Sequence, residues 1–254
     1  MKRTALMLLV FFVVFKAYSQ QQKHTDSLTT AFVRANDLKF NYKALIIPSA
    51  LIAYGVIGLE NHTIKDINTS TKGELNEHID SKFTVDDFSQ YAPFLSVYAL
   101  NAVGVKGKHN FKDRTIILGT AYLIMGATVN IAKHTGNELR PDGSDTFSFP
   151  SGHTATAFMG AEFLYQEYKD QSVWYGISGY LVAAGTGFFR MYNDRHWLSD
   201  VAAGAGIGML STKIAYWVYP LIRKTFFKDT TNLNGLIMPF YNQEGYGLAA
   251  SFNF

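Results

Sequence analysis

Six apolar segments, each 15 to 22 residues long, constrain the fold of this 254-residue chain more than any other feature. They occupy residues 44–59, 91–105, 115–132, 154–168, 173–189 and 201–222. Apolar runs of this length, with large and small residues mixed, predict helices rather than strands. Glycines within them would let helix backbones approach closely, as in membrane bundles. These glycines are Gly104, Gly119, Gly126, Gly160, Gly176, Gly179, Gly185, Gly204, Gly206 and Gly208. We therefore predict an all-α fold with a bundle of six helices.

The composition favours a bundle that lies in a bilayer. Charged residues make up 17% of the chain and hydrophobic residues 48%, whereas a typical soluble domain has about 25% charged residues. Several of the segments also carry Asn, Tyr or Ser, which makes them marginal as membrane spans. The sequence thus predicts a transmembrane bundle, with a soluble helical bundle as the alternative.

The N-terminus is typical of an exported protein. A basic head, Met1-Lys2-Arg3, precedes 12 apolar residues at 4–15, and small residues follow at Ala17 and Ser19. This pattern predicts a signal peptide over residues 1–19. An uncleaved anchor is the alternative, although 12 apolar residues are few for a span that needs about 20.

The rest of the chain divides into three parts. Residues 20–90 form a polar N-terminal region with the first apolar helix and an amphipathic segment, residues 91–228 form the core, and residues 229–254 form a tail. Alternating residues at 235–241 and 246–254 predict a β-hairpin in this tail. It either packs on its own helices or resembles the last strand of a barrel, but one hairpin cannot close a barrel.

Some functions are excluded by composition. The chain has no cysteine, so disulfides, cysteine-ligated zinc and cysteine nucleophiles are excluded. Its net charge is only +3, without a basic run, so we predict no nucleic-acid partner.

Three short clusters carry the chemistry, each near the end of an apolar segment. They are Lys133-x6-Arg140-Pro141, Pro150-Ser151-Gly152-His153 and Arg190-x5-His196-x3-Asp200. Phosphoryl transfer spreads negative charge over the equatorial oxygens, so catalysis requires cations aimed at those oxygens. Lys133 supplies a point charge, and Arg140 and Arg190 supply planar forks suited to phosphate.

The second cluster adds further phosphate ligands. Ser151 offers a hydroxyl donor, and Gly152 lets the backbone come close to an anion. Because the cluster immediately precedes the fourth apolar segment, it is expected at a helix N-terminus, which favours anions.

The two histidines provide the reactive groups. If the sixth helix begins near Asn193 or Asp194, His196 and Asp200 lie on one helical face. Asp200 can then accept a proton from one imidazole nitrogen and leave the other as a nucleophile. His153 is suited to protonate the leaving oxygen. We therefore predict a phosphohistidine on His196, with no metal and no cofactor.

These motifs resemble those of the type 2 phosphatidic acid phosphatases (PAP2) and the vanadium haloperoxidases. The resemblance covers roughly residues 91–222 and departs from the family at Phe189, where a serine is common. It implies a six-helix core with the motifs on one face. It also implies His196 as nucleophile, His153 as acid, and a phosphate pocket formed by Lys133, Arg140, Arg190, Ser151 and Gly152.

The function predicted from these residues is a membrane phosphatase that acts on a lipid phosphate or diphosphate. A soluble periplasmic acid phosphatase of broad specificity is one alternative. A haloperoxidase with vanadate in the same pocket is another, and a non-catalytic binding protein would conflict with the intact catalytic set. The sequence leaves the particular lipid and the oligomeric state open.

Two topological criteria disagree. Basic residues between the second and third segments and after the sixth, when placed in the cytoplasm, put the motifs on the periplasmic side of the inner membrane. A cleaved signal peptide followed by six spans puts them in the cytoplasm. The first segment, with its internal Pro48, is the best candidate to lie at the interface and remove the conflict.

Overall fold

A computed structural model describes residues 42–77, 84–226, 234–242 and 245–253 of the chain. The predicted signal peptide, residues 1–19, lies outside the described residues. The chain divides into two compact units, residues 1–43 and 44–254. All the α-helices and strands below belong to the second unit.

Eight α-helices and one hairpin make up the part of the chain that the structure describes, after a short 3-10 helix at Tyr42–Leu45. The helices are α1 (Ile46–Gly58), α2 (His62–Asn76), α3 (Val85–Ser89), α4 (Ala92–Ala102), α5 (Phe111–Gly136), α6 (Gly152–Tyr168), α7 (Val173–Tyr192) and α8 (Leu198–Phe226). The strands are β1 (Asn234–Asn242) and β2 (Gly245–Asn253).

Each of the six apolar segments forms one helix, namely α1 and α4 to α8. The two further helices, α2 and α3, lie in the polar stretch between the first two segments. The apolar segments therefore predict six of the eight described α-helices. They do not reveal α2 and α3, because these helices consist mostly of polar residues.

Helix α6 lies at the centre of the bundle. It packs against α4, α5, α7 and α8, while α8 also packs against α1 and α5. Met159 and Phe163 of α6 are fully buried among Ile117 and Met125 of α5 and Ile207 of α8. Most of α6 is buried from Thr154 onward, whereas Gly152 and His153 at its N-terminus are partly exposed.

Polar side chains cap the helices that carry the motifs. The Asn110 side chain accepts a hydrogen bond from the backbone of Asp113 at the start of α5. Ser151 and Ser172 cap α6 and α7 in the same way. Such caps satisfy backbone N–H groups that have no partner inside the helix, so they fix where each helix begins.

The glycines of the apolar segments divide into two groups. A side chain at Gly204 would place its Cβ 2.4 Å from the carbonyl oxygen of Ser151, and one at Gly208 would approach that of Ala155 to 2.2 Å. At these positions only glycine lets α8 pack this closely on α6. Four others, Gly104, Gly119, Gly126 and Gly185, have no other atoms within 4 Å of a built Cβ. Close helix approach therefore explains only part of the predicted set.

The two C-terminal strands pair antiparallel, from Asn234 opposite Asn253 to Asn242 opposite Gly245. The sequence predicts the strands of this hairpin at 235–241 and 246–254, so each of the four strand ends differs by one residue.

Within the described residues, one helix, α5, is by itself long enough and apolar enough to cross a bilayer. The bent pair Tyr42–Gly58 and His62–Leu75, which meet at 94°, would count as a second if the two helices form one span. A bundle in which all six apolar segments cross stays a prediction.

Candidate active site

The three motifs meet where four helix ends come together. Lys133 lies in the last turn of α5, Ser151 and His153 lie at the start of α6, and Arg190 lies near the end of α7. The start of α8 completes the site with Asp200. The peptide N–H of Ser151 donates to the carbonyl oxygen of Asp200 at 3.1 Å, so the second and third motifs are joined directly.

The N-terminus of α6 presents the Pro150-Ser151-Gly152-His153 turn. The Ser151 hydroxyl lies 2.8 Å from that of Thr154, and both residues are fully buried. A built Cβ at Gly152 would meet only Val129, at an ordinary 3.8 Å. The packing of the protein does not require glycine at this position, so the space beside Gly152 is open to a ligand.

His196 and Asp200 do not share a helical face, because α8 begins at Leu198 rather than near Asn193. His196 lies in the preceding loop, and its Nδ1 is 3.7 Å from Oδ2 of Asp200, which is beyond hydrogen-bond distance. Asp200 instead caps the helix, because its Oδ2 accepts from the Trp197 peptide N–H at 2.9 Å. The predicted hydrogen bond between His196 and Asp200 is thus absent from the structure, although the two buried side chains approach each other closely.

Ser148 is a contact of this carboxylate that the motifs do not include. Its hydroxyl donates to Oδ2 of Asp200 at 2.5 Å, and both residues are fully buried. Ser148 therefore helps to fix the carboxylate that faces His196.

The environment of His196 keeps its imidazole neutral. Burial, with smaller contributions from the charges of Arg190 and Lys133, lowers the pKa of His196 to about 4, although Asp200 opposes the change. At neutral pH the ring is therefore uncharged and has one nitrogen without a proton, which can attack phosphorus.

The three cations lie close to the site with different partners. The Lys133 ammonium donates to the carbonyl oxygen of Phe147 at 2.6 Å. Nε of Arg140 is 3.0 Å from Asp145, without the geometry of a hydrogen bond. Lys133 interacts electrostatically with Arg140 and Arg190, so the structure brings all three predicted cations together.

Two acidic residues that the sequence analysis missed lie on α3. Asp86 is almost fully buried and accepts hydrogen bonds from NH1 of Arg190 at 2.6 Å and from the Asn193 amide at 3.0 Å. Oδ1 of Asp87 is 3.0 Å from Nε2 of His153. A pair of adjacent acids next to an apolar segment is the only sequence signal, and it is common on solvated helices.

Unpartnered polar atoms concentrate at this site. In the described residues, six buried side-chain nitrogen or oxygen atoms have no hydrogen-bond partner. Four of the six belong to predicted site residues: Nε of Arg140, Nε of Arg190, Nδ1 of His196 and Oδ1 of Asp200. Buried groups without partners are costly, and two guanidinium donors in this state are suited to an anion.

Phe189, the departure from the family pattern, packs among aromatic rings. Its ring centroid is 5.7 Å from that of Phe188 and 5.9 Å from that of Tyr192. The adjacent Arg190 keeps its contact with Asp86 without a serine hydroxyl at this position.

A comparison with family models supports the resemblance that the motifs carry. Residues 114–224 match the sequence model of the PAP2 superfamily, and all three motifs lie inside this range. The region that carries the candidate site therefore matches this superfamily, and the resemblance predicted from the motifs is confirmed.

A more specific similarity is to a lipid A 1-phosphatase from Porphyromonas gingivalis. It is 40% identical over 153 residues, which are 59% of this chain and 33% of that protein. The chain thus spans about a third of the length of the curated relative that it matches.

Two solved membrane phosphatases also resemble the chain. A transmembrane PAP2-type phosphatidylglycerolphosphate phosphatase from Bacillus subtilis has a TM-score of 0.47 and 17% identity, over 70% of this chain and 98% of that one. LpxE from Aquifex aeolicus has a TM-score of 0.40 and 23% identity, over 65% of this chain and 93% of that one.

Proposed function

We propose that this chain is a metal-independent phosphatase that hydrolyses a lipid phosphate through a phosphohistidine on His196. The observation that carries the proposal is the meeting of three cations and two imidazoles at four helix ends. There neither Nε of Arg140, which is 3.0 Å from Asp145, nor Nε of Arg190 makes a hydrogen bond. An incoming phosphate would supply the oxygens that these donors lack.

The reaction has two steps. Nε2 of His196 attacks phosphorus while its Nδ1 faces Asp200; an N–P bond forms and the P–O bond to the lipid breaks. His153 gives a proton to the leaving oxygen and so becomes a base. A water molecule then attacks phosphorus and passes a proton to His153. The N–P bond breaks, and phosphate and free His196 are regenerated.

The cations hold the phosphate through both steps. Lys133, Arg140 and Arg190 bind the non-bridging oxygens, and the Ser151 hydroxyl and the Gly152 N–H add neutral donors at the start of α6. Asp86 anchors one arm of Arg190 at 2.6 Å, so Nε is the donor that is left for phosphate.

A lipid substrate is supported by the surface of the bundle. Large apolar side chains are exposed on α4, α5 and α7, and Val103, Leu123 and Trp174 are each more than 70% exposed. Exposed apolar side chains of this size and number are suited to a bilayer. The similarity to a lipid A 1-phosphatase ranks a lipid A head-group phosphate first among the candidate substrates.

The proposed location is the inner membrane with the active site at its periplasmic face. The basic residues Lys106, Lys108 and Arg223 lie at the opposite ends of α5 and α8 from Lys133 and Asp200. Because α5 has 26 residues, these ends are separated by about 39 Å along the helix. Basic ends that stay in the cytoplasm place the site outside.

Phosphate release from a panel of lipids tests the proposal. The panel is lipid A, phosphatidic acid, phosphatidylglycerol phosphate and a polyprenyl diphosphate in detergent micelles. We expect wild-type activity to be highest on lipid A and to fall by several orders of magnitude in His196→Ala. Replacing His62, an exposed histidine outside the motifs, by Ala is the matched control and should leave the rate unchanged.

The covalent step has its own readout. A His153→Ala variant lacks the base for the second step, so it should accumulate an acid-labile phosphoprotein when it is given radiolabelled 4-nitrophenyl phosphate, whose leaving group needs no proton in the first step. Full activity in His196→Ala would sink the mechanism. Activity on water-soluble esters, in a protein that needs no detergent, would favour the soluble periplasmic phosphatase instead.

A further inference from the structure

Helix α3 lies outside all three motifs but touches two of them. It contains two adjacent acids, Asp86 and Asp87, that point into the site. Asp86 is buried and holds Arg190 and Asn193. Asp87 is half exposed, and Oδ1 of its carboxylate is 3.0 Å from Nε2 of His153. The two carboxylates therefore serve different partners.

The contact of Asp87 selects one nitrogen of His153. A carboxylate only accepts hydrogen bonds, so Nε2 must carry a hydrogen to bond with Oδ1 of Asp87. The other nitrogen, Nδ1, is then left to exchange a proton with substrate and water. A fixed partner on one ring nitrogen sets both the tautomer and the orientation of the ring.

We propose that Asp87 is a positioning residue that orients His153 for proton transfer. The proposal rests on the phosphatase function proposed above and adds a residue to it. In the first step, doubly protonated His153 gives the Nδ1 proton to the leaving oxygen and keeps the Nε2 hydrogen on Asp87. In the second step, neutral His153 takes a proton from water at Nδ1. Asp87 holds the same hydrogen throughout.

The charges that face His153 support this role. Burial and the positive charge of Arg190 lower the pKa of His153, while the hydrogen bond and charge of Asp87, followed by the charge of Asp86, raise it. Asp87 thus opposes the effects of burial and of Arg190, both of which favour the deprotonated form of His153. Without Asp87, His153 would lose its proton at a lower pH.

The distance to Arg190 argues against a role for Asp87 in neutralising that cation alone. Oδ1 of Asp87 is 3.7 Å from NH1 of Arg190, whereas Asp86 contacts the same atom at 2.6 Å. Arg190 is therefore paired with Asp86, and the carboxylate of Asp87 lies closer to the His153 imidazole than to Arg190.

The variant Asp87→Asn tests the proposal with two kinetic readouts. On the best lipid substrate we expect kcat/KM to fall about 10- to 100-fold, a part of what general acid catalysis contributes. The alkaline limb of the pH profile should move to lower pH. With 4-nitrophenyl phosphate, whose leaving group needs no proton, the loss should be much smaller. Equal losses on both substrates, with an unmoved profile, would overturn the proposal.

Two other variants show that the effect is local. Asp170→Asn removes an exposed acid from the loop after α6, at the end of that helix away from His153, and should change neither readout. Asp87→Glu keeps the charge and should restore part of the alkaline limb, which a merely structural role would not predict.

NMR titration of histidine side chains separates this inference from the proposed function. In protein with 15N-labelled histidine, the His153 signals are assigned by their loss in His153→Gln. We expect Nε2 protonated in the neutral ring of the wild type and a lower pKa in Asp87→Asn. An unchanged tautomer and pKa would contradict the role of Asp87. The expected change in a protein that releases no phosphate would contradict only the phosphatase function.

Discussion

At the scale of single residues, Asp200 makes several contacts besides its approach to His196. Its side chain caps α8 through the Trp197 N–H and accepts the Ser148 hydroxyl, while its backbone carbonyl accepts the Ser151 N–H. One residue thus fixes the start of α8, the loop before α6 and the position of His196. A substitution here would disturb binding and catalysis together.

Replacing Ser148 by Ala tests that network without touching a motif residue. The variant removes the 2.5 Å hydrogen bond to a buried carboxylate, which we expect to lower the free energy of unfolding by about 1–3 kcal/mol. Because Asp200 then has fewer constraints, kcat should fall while KM changes little. Thermal unfolding in detergent and steady-state kinetics measure the two effects.

The control for this variant is Ser144→Ala, in the exposed loop between α5 and α6. It removes the same hydroxyl from a position outside the buried network and should behave as wild type. Unchanged stability and kcat in Ser148→Ala would show that the hydrogen bond contributes nothing to Asp200.

The residues that sequence reasoning found and missed differ in how local their signals are. The eight predicted site residues stand in fixed short spacings that a single sequence displays. Asp87 lies 66 residues from His153, Asp86 lies 104 from Arg190, and Ser148 lies 52 from Asp200. Contacts at these separations depend on the packing of helices, which spacing along one chain does not encode.

At the scale of helices, the apolar segments predict which residues form the core helices but not which face of each helix points into the bundle. All ten glycines have the same sequence signal, yet Gly208 meets the backbone of α6 and Gly185 meets nothing within 4 Å. The difference depends on which face of each helix points inward. The predicted start of α8, near Asn193 or Asp194, is wrong. The loop that contains His196 continues to Trp197, and α8 begins at Leu198.

Gly208→Ala should therefore be far more damaging than Gly185→Ala. The added Cβ at 208 would lie 2.2 Å from the carbonyl oxygen of Ala155, so α6 and α8 would have to separate. Overpacking of this kind costs about 1–3 kcal/mol, and the shift would displace Ser151 from Asp200. We expect a lower midpoint of thermal unfolding and a lower kcat.

Gly185→Ala is the matched control on α7. It replaces glycine by a better helix former in open space and should leave the unfolding midpoint equal or slightly raised. If both variants unfold at the same temperature, the close approach of α8 to α6 does not stabilise the bundle.

At the scale of the whole molecule, the bundle has two chemically different ends. One carries the motifs, and the other carries the basic link between α4 and α5 together with the end of α8, where Arg223 lies 3.9 Å from Asp113. This asymmetry gives the chain a direction relative to a membrane. The sequence alone leaves the direction in conflict with the signal peptide, because parity depends on whether α1 crosses.

Single cysteines can determine that direction, since the chain has none of its own. We would introduce Ser144→Cys beside the motifs and Lys108→Cys at the basic end, both at exposed positions. Cells with a permeabilised outer membrane are treated with a thiol reagent that does not cross the inner membrane. We expect labelling at position 144 at once, and at position 108 only after lysis, because the basic end stays in the cytoplasm. The reverse pattern would place the active site in the cytoplasm, and labelling at both positions before lysis would identify a soluble periplasmic protein.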